Sequence, residues 1–305
     1  MNAPPSDQGP DVEEHSSASP DSGSQPASLE EASSTGTLTG TPLAGTLPPR
    51  GRFGRGLLEI GAAVARVESG WRWIPLAIAV GTLPLLACWP WGLPAHQGIS
   101  GLLLTIAIWG AIHAGRARVG IGMILLAYAS HSILAISLAA YLPEQAAALF
   151  PDGAAYWVKQ EAWIRTGFDP EYEIASWLPI HAKLGVACLI LAPATLGLAI
   201  FARGFYEVDL MNYYVGTLLR ESGGAWGALA VGWHPWSICR GLCYVLLTYE
   251  LVRMTSEWLT GRRLPVGRGR TWRLGLALAF FTADCVIKSS CTEEVRSVLY
   301  ASLAR

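Results

Sequence analysis

Apolar stretches at 74–91, 99–113, 119–142, 178–201 and 271–287 approach the ~20 residues that an α-helix needs to cross ~30 Å of hydrocarbon. A further stretch, 226–252, is apolar but interrupted by Trp233-His234-Pro235-Trp236 and by Arg240. Runs like these in series leave few folds open, because a backbone in hydrocarbon must satisfy its own polar groups. The expected fold class is all-α, a polytopic integral membrane helix bundle of about six segments within residues 71–305. Composition agrees: 51% of residues are hydrophobic and only 15% charged, against about 25% in soluble domains. Trp71, Trp73, Trp89 and Trp91 bracket the first segment, where indoles favour the headgroup layer.

Two other units precede the bundle. Residues 1–50 are dominated by Ser, Pro, Gly, Thr and Ala, and every charge before Arg50 is acidic. Such a segment cannot bury enough surface to offset its ordering entropy, which predicts a disordered acidic cytoplasmic tail, free to recruit a protein partner. In 51–70, Phe53, Leu57, Leu58, Ile60, Val64 and Val67 recur at helical spacing among Arg52, Arg55 and Arg66. That pattern predicts an amphipathic interfacial helix. The six cysteines lie in or beside apolar segments, so no disulfide framework is expected.

The distribution of Lys and Arg sets the orientation. The connection 143–177 carries six acids against Lys159 and Arg165, which makes it extracytoplasmic; Arg116, Arg118 and the arginines at 50–72 then lie inside. The expected location is a bacterial inner (cytoplasmic) membrane with the N-terminus cytoplasmic. A conflict arises at 253–273, whose arginines fall outside if 226–252 is a simple crossing. Two readings stay open: a re-entrant fifth segment, or an ordinary helix that begins late with Pro235 in its first turn. The basic loop is expected to touch the lipid bilayer, anionic lipid in particular, and no nucleic acid.

Ionisable residues inside spans are costly and mark functional candidates. Asp284 and Lys288 are four residues apart on the last span, while Arg240 and Glu250 are too far apart on one helix to meet. Arg240, Glu250, Asp284 and Lys288 are therefore expected to form one intramembrane polar site, with His131 of the third span as a separate candidate. Neither His113 nor His181 matches the depth of His131, so bis-histidine haem is not expected, and no other cofactor or metal is. Cys239 and Cys243 share a helix face but lack the further ligands of a zinc site.

Gly98-Ile99-Ser100-Gly101 resembles the Gly-x-Ser-Gly of rhomboid intramembrane proteases, and His181 opens a later span from the same side. The resemblance implies Ser100 as nucleophile and His181 as base, although no counterpart of that family's oxyanion-supplying segment is present. The first expectation is a non-enzymatic membrane component, transporter-like or scaffolding; the alternative is an intramembrane serine hydrolase.

Overall fold

The computed structural model describes residues 51–67, 70–168, 174–261 and 268–304. The expected tail at 1–50 lies outside them. Among the described residues the chain is helical and contains no strand. In order the helices are α1 (Gly51–Val67), α2 (Trp73–Cys88) with a 3₁₀ turn at Trp89–Trp91, α3 (His96–His113), α4 (Ala117–Tyr141), α5 (Pro143–Leu149) and α6 (Gly153–Thr166). Then follow α7 (Ile174–Ala194), α8 (Leu198–Glu221), α9 (Trp226–Gly232), α10 (Pro235–Thr260) and α11 (Arg268–Leu303). Local chemistry sets many of these ends. Gly167 and Gly261 terminate α6 and α10 in the left-handed conformation, and Pro143 and Pro235 open α5 and α10, where a missing N–H costs nothing.

Three helical stretches, Trp73–Trp91, Ala117–Tyr141 and Gly269–Leu303, are long and apolar enough to cross a membrane. Burial follows the same logic in reverse. Ile133, Val186, Leu189, Ile190 and Leu278 are exposed, whereas His96, His131, Asp209, Glu250 and Asp284 are buried. In water that arrangement would be wasteful; against lipid it is the economical one, since apolar side chains lose nothing by facing hydrocarbon.

Contacts between helices fix their directions. His96 meets Asp209 and the Trp109 indole N–H donates to the Leu196 carbonyl, so α3 and α8 are antiparallel. His131 also meets Asp209, and a Cβ on Gly216 would fall 2.6 Å from both Ala139 Cβ and the Ile136 carbonyl, so α4 and α8 run the same way. Glycine brings backbones together at these crossings, the device used in lipid-embedded bundles. Gly101 packs on Ala202, where a Cβ would lie 2.7 Å from the backbone nitrogen. α10 descends beside α8, with Tyr214 against His234 at one end and Gly197 against Val252 at the other. α11 returns antiparallel to α10, joined by Arg240–Asp284 and Arg273–Glu250.

Helix α8 follows a chain reversal that apolar runs alone do not announce. The expected fourth segment, 178–201, is not one helix: α7 stops at Ala194, and the chain reverses through Leu196 and Gly197, both at positive φ. α8 then runs back alongside α4, and α10 follows as a continuous helix of 26 residues. The start of α11, with Arg270 and Arg273, thereby returns to the end of the bundle where Trp109 and Gly120 lie. The interruption at Trp233-His234 separates the seven-residue α9 from α10 and does not turn the chain back within α10.

The connection 143–177 packs onto the bundle. Trp163 and Ile164 of α6 are fully buried against Tyr214, Val215 and Leu218. Asp152 makes no cap to α6; it accepts a hydrogen bond from Tyr206 of α8 at 3.0 Å. α1 lies along α3, where Gly61 meets the His113 ring.

Candidate functional site

Asp209 sits near the middle of α8, on the face that carries Phe205 and Asn212, and is 1% exposed. An ionised carboxylate at such a place is tolerated only when its oxygens are paired and hydrogen-bonded. Three side chains supply this. His131 Nε2 of α4 lies 2.6 Å from Oδ1, His96 Nε2 of α3 lies 2.8 Å from Oδ2, and Gln97 donates to Oδ2 at 2.7 Å. Both imidazoles are fully buried and nearly parallel, with centroids 5.8 Å apart and planes inclined by 18°. Phe205 presents an edge contact to His131 and Phe150 to His96, closing the cluster with apolar rings.

The far side of His131 determines its hydrogen placement. Nδ1 lies 2.9 Å from the Gly81 carbonyl oxygen, which can only accept, so Nδ1 carries the hydrogen. Nε2, which faces a carboxylate oxygen, is then an N–H donor if the ring is an imidazolium and a bare lone pair if the ring is neutral. The second juxtaposition is repulsive unless a positive charge lies between or on the two groups. Around it, His96 Nδ1, Ser100 Oγ and both amide atoms of Asn212 are buried without a hydrogen-bond partner. Ser100 is one turn along α3 from His96, and Asn212 one turn along α8 from Asp209. Unsatisfied polar groups in this number around one carboxylate are unusual and point to a ligand site.

The other sequence candidates are distributed elsewhere. Arg240 and Asp284 form a two-point ion pair, with Nε–Oδ2 and Nη2–Oδ1 both 2.9 Å. Glu250 does not join them, because it lies toward the other end of α10, where Arg273 approaches at 2.5 Å and Arg270 at 3.6 Å. Lys288 is buried one turn beyond Asp284. The expected four-residue cluster therefore divides along the α10–α11 seam. Ser100 Oγ makes no hydrogen bond, and His181 Nδ1 pairs with the Tyr244 hydroxyl at 2.9 Å, so the two do not form a nucleophile–base dyad here. Cys239 and Cys243 are free, as are the other four cysteines.

His131 is thus the one sequence candidate inside the cluster. His96 precedes the expected start of its span at 99, and Asp209 lies beyond the expected end at 201. The histidine at the depth of His131 is His96, which shares Asp209 with it, and neither His113 nor His181. The available signal was periodic: Phe201, Phe205, Asn212 and Val215 recur at helical spacing, and Asp209 falls on the same apolar face. A surface cavity of about 250 Å³, lined by Trp157, Glu161, Arg165, Glu221 and Leu303, contains none of these residues. Chemistry and not concavity identifies the site. No protein-family model, no curated protein and no solved structure matches this chain.

Proposed function

We propose that the protein is a multi-pass membrane protein that handles a cation within the bilayer, in the manner of a transporter, with Asp209 as the internal charge. One observation carries the reading: Asp209 is buried in the helix bundle with each carboxylate oxygen against a buried imidazole from a different helix. Placing an ionisable group at the centre of a span costs roughly 2.5–3.5 kcal/mol, and such groups characteristically mark ion pathways.

In this reading α2, α3, α4, α7, α8, α10 and α11 cross a bacterial cytoplasmic membrane in alternation, with the N-terminus in the cytoplasm. The arginine-rich end is cytoplasmic, supported by Arg116, Arg253, Arg270 and Arg273; Arg253, Arg270 and Arg273 also make it the natural contact for anionic lipid. A protein partner for residues 1–50 belongs to the same proposal. The scaffold and serine-hydrolase alternatives gain no support from the cluster.

Purified protein reconstituted into vesicles tests the function. Entrapped dyes that report protons and divalent cations should register a flux above protein-free vesicles, and Asp209→Asn should abolish it. Vesicles carrying the wild type that match protein-free vesicles for both ions would overturn the proposal.

A further inference from the structure

Resting on the cation-handling reading, we infer that His96, His131 and Asp209 bind one divalent transition-metal ion of the zinc and iron(II) class. A ring nitrogen of each histidine and a carboxylate oxygen of Asp209 lie within 4.8 Å of one another. The set comes from three helices whose relative positions are fixed by glycine contacts and hydrogen bonds, so the ligands converge without any loop having to order.

Three features suit the cluster to a metal. The first is the hydrogen on His131. Because Nδ1 donates to the Gly81 carbonyl, Nε2 is the nitrogen left for Asp209, and the position between them that a proton can fill is equally open to a metal ion that displaces it. An imidazole whose second nitrogen donates to a backbone carbonyl is the usual arrangement of a metal-binding histidine, since that bond fixes both tautomer and ring orientation. The second is ligand type. Two imidazoles and one carboxylate suit zinc or iron(II); calcium and magnesium prefer all-oxygen shells, and copper(I) prefers sulfur. The third is the polar residue left over. Asn212, fully buried with neither amide atom bonded, sits one turn from Asp209, where it can hold a solvent molecule at an open coordination position.

The space required is small. Metal–ligand bonds of ~2.0–2.2 Å set neighbouring ligand atoms roughly 3.3 Å apart, so the nitrogen–oxygen pairs at 2.8 and 2.6 Å need open by only about 0.5 and 0.7 Å. Three protein ligands with a position to spare is the pattern of exchangeable or reactive sites, whereas structural zinc sites are closed by four.

The test uses the full-length protein in detergent, stripped with a chelator and titrated separately with Zn²⁺ and Co²⁺. The expected result is one ion per chain, with a cobalt absorption spectrum typical of nitrogen and oxygen ligands and no sulfur-to-cobalt charge-transfer band. The last point excludes adventitious binding by the six free cysteines. His131→Gln and Asp209→Asn should lose stoichiometric binding, while His181→Ala, remote from the cluster, should bind as the wild type does. Circular dichroism and size-exclusion profiles of each variant separate lost ligation from lost folding. If the wild type binds neither ion, or binds only through sulfur, the metal assignment is overturned. A proton flux that still depends on Asp209 would then leave the cation-handling reading standing with the proton as its ion, and absence of any flux would remove both.

Discussion

His131 and Gly81 are joined across α4 and α2 by a hydrogen bond from Nδ1 to the carbonyl oxygen, 2.9 Å long, at a crossing with no room for a side chain. A Cβ on Gly81 would lie 2.2 Å from the Ala127 carbonyl oxygen and 2.5 Å from Ser130 Oγ. Gly81→Ala must therefore push α2 off α4 and release the ring. Losing an outer-shell partner of this kind lowers metal affinity by about 10–100-fold. Competition against a chelator, with helicity checked in parallel, measures it; unchanged affinity would show that the Gly81 carbonyl does not orient His131.

The Arg240–Asp284 pair predicts a non-additive mutant cycle. Asp284 is 1% exposed and satisfies both oxygens on Arg240, so Arg240→Met strips a buried carboxylate of both hydrogen bonds and should cost roughly 3–5 kcal/mol. Replacing both, as Arg240→Met with Asp284→Leu, removes the stranded charge and should restore most of the loss. Thermal unfolding in detergent reads the cycle, and simple additivity of the two single changes would contradict it.

At the other end of the same seam, the two arginines on Glu250 should differ. Arg273 approaches at 2.5 Å and Arg270 at 3.6 Å, beyond a direct hydrogen bond. Arg270→Ala is expected to change stability by about 1 kcal/mol or less, as for weakly engaged pairs. Arg273→Ala should cost about 3 kcal/mol, because it strips the close partner of a buried carboxylate. A reversed order in the same unfolding assay would mean that the longer contact carries the charge.

Helix directions give a topology expectation. Cysteines introduced at Gly115 and Gly261 should react with an impermeant reagent from one side of the membrane, and those at Gly167 and Gly223 from the other. The six native cysteines are first replaced by serine or alanine, with folding checked. Labelling of Gly115 and Gly261 from opposite faces would refute the antiparallel course of α7 and α8.

Hydropathy made the apolar helices legible, because a run such as 119–142 must cross or be buried whatever surrounds it. It concealed α8 for the same reason. Arg203, Glu207, Asp209, Arg220 and Glu221 break the apolar run; the exposed charges pair with one another along the helix, whereas Asp209 and Arg220 also find partners on α4, far away in the chain. Arg240 with Asp284 was foreseeable from the separation of Arg240 and Glu250 along one helix. His96 with Asp209 was not, since that pairing depends on a chain reversal at 195–197 that no run of apolar residues announces.

The short length of α3 has an electrical meaning. α3 begins at His96, whereas α4 and α8 continue beyond the cluster, and on that side Phe150, which follows α5, packs edge-on against His96. Asp209 is roughly 18 Å from either end of α8 at 1.5 Å per residue, which puts it about halfway along that helix. A monovalent ion moved across a full membrane gains about 2.3 kcal/mol per 100 mV. A divalent ion travelling half that path gains about the same, so occupancy of this site would follow the membrane potential as well as the ion concentration.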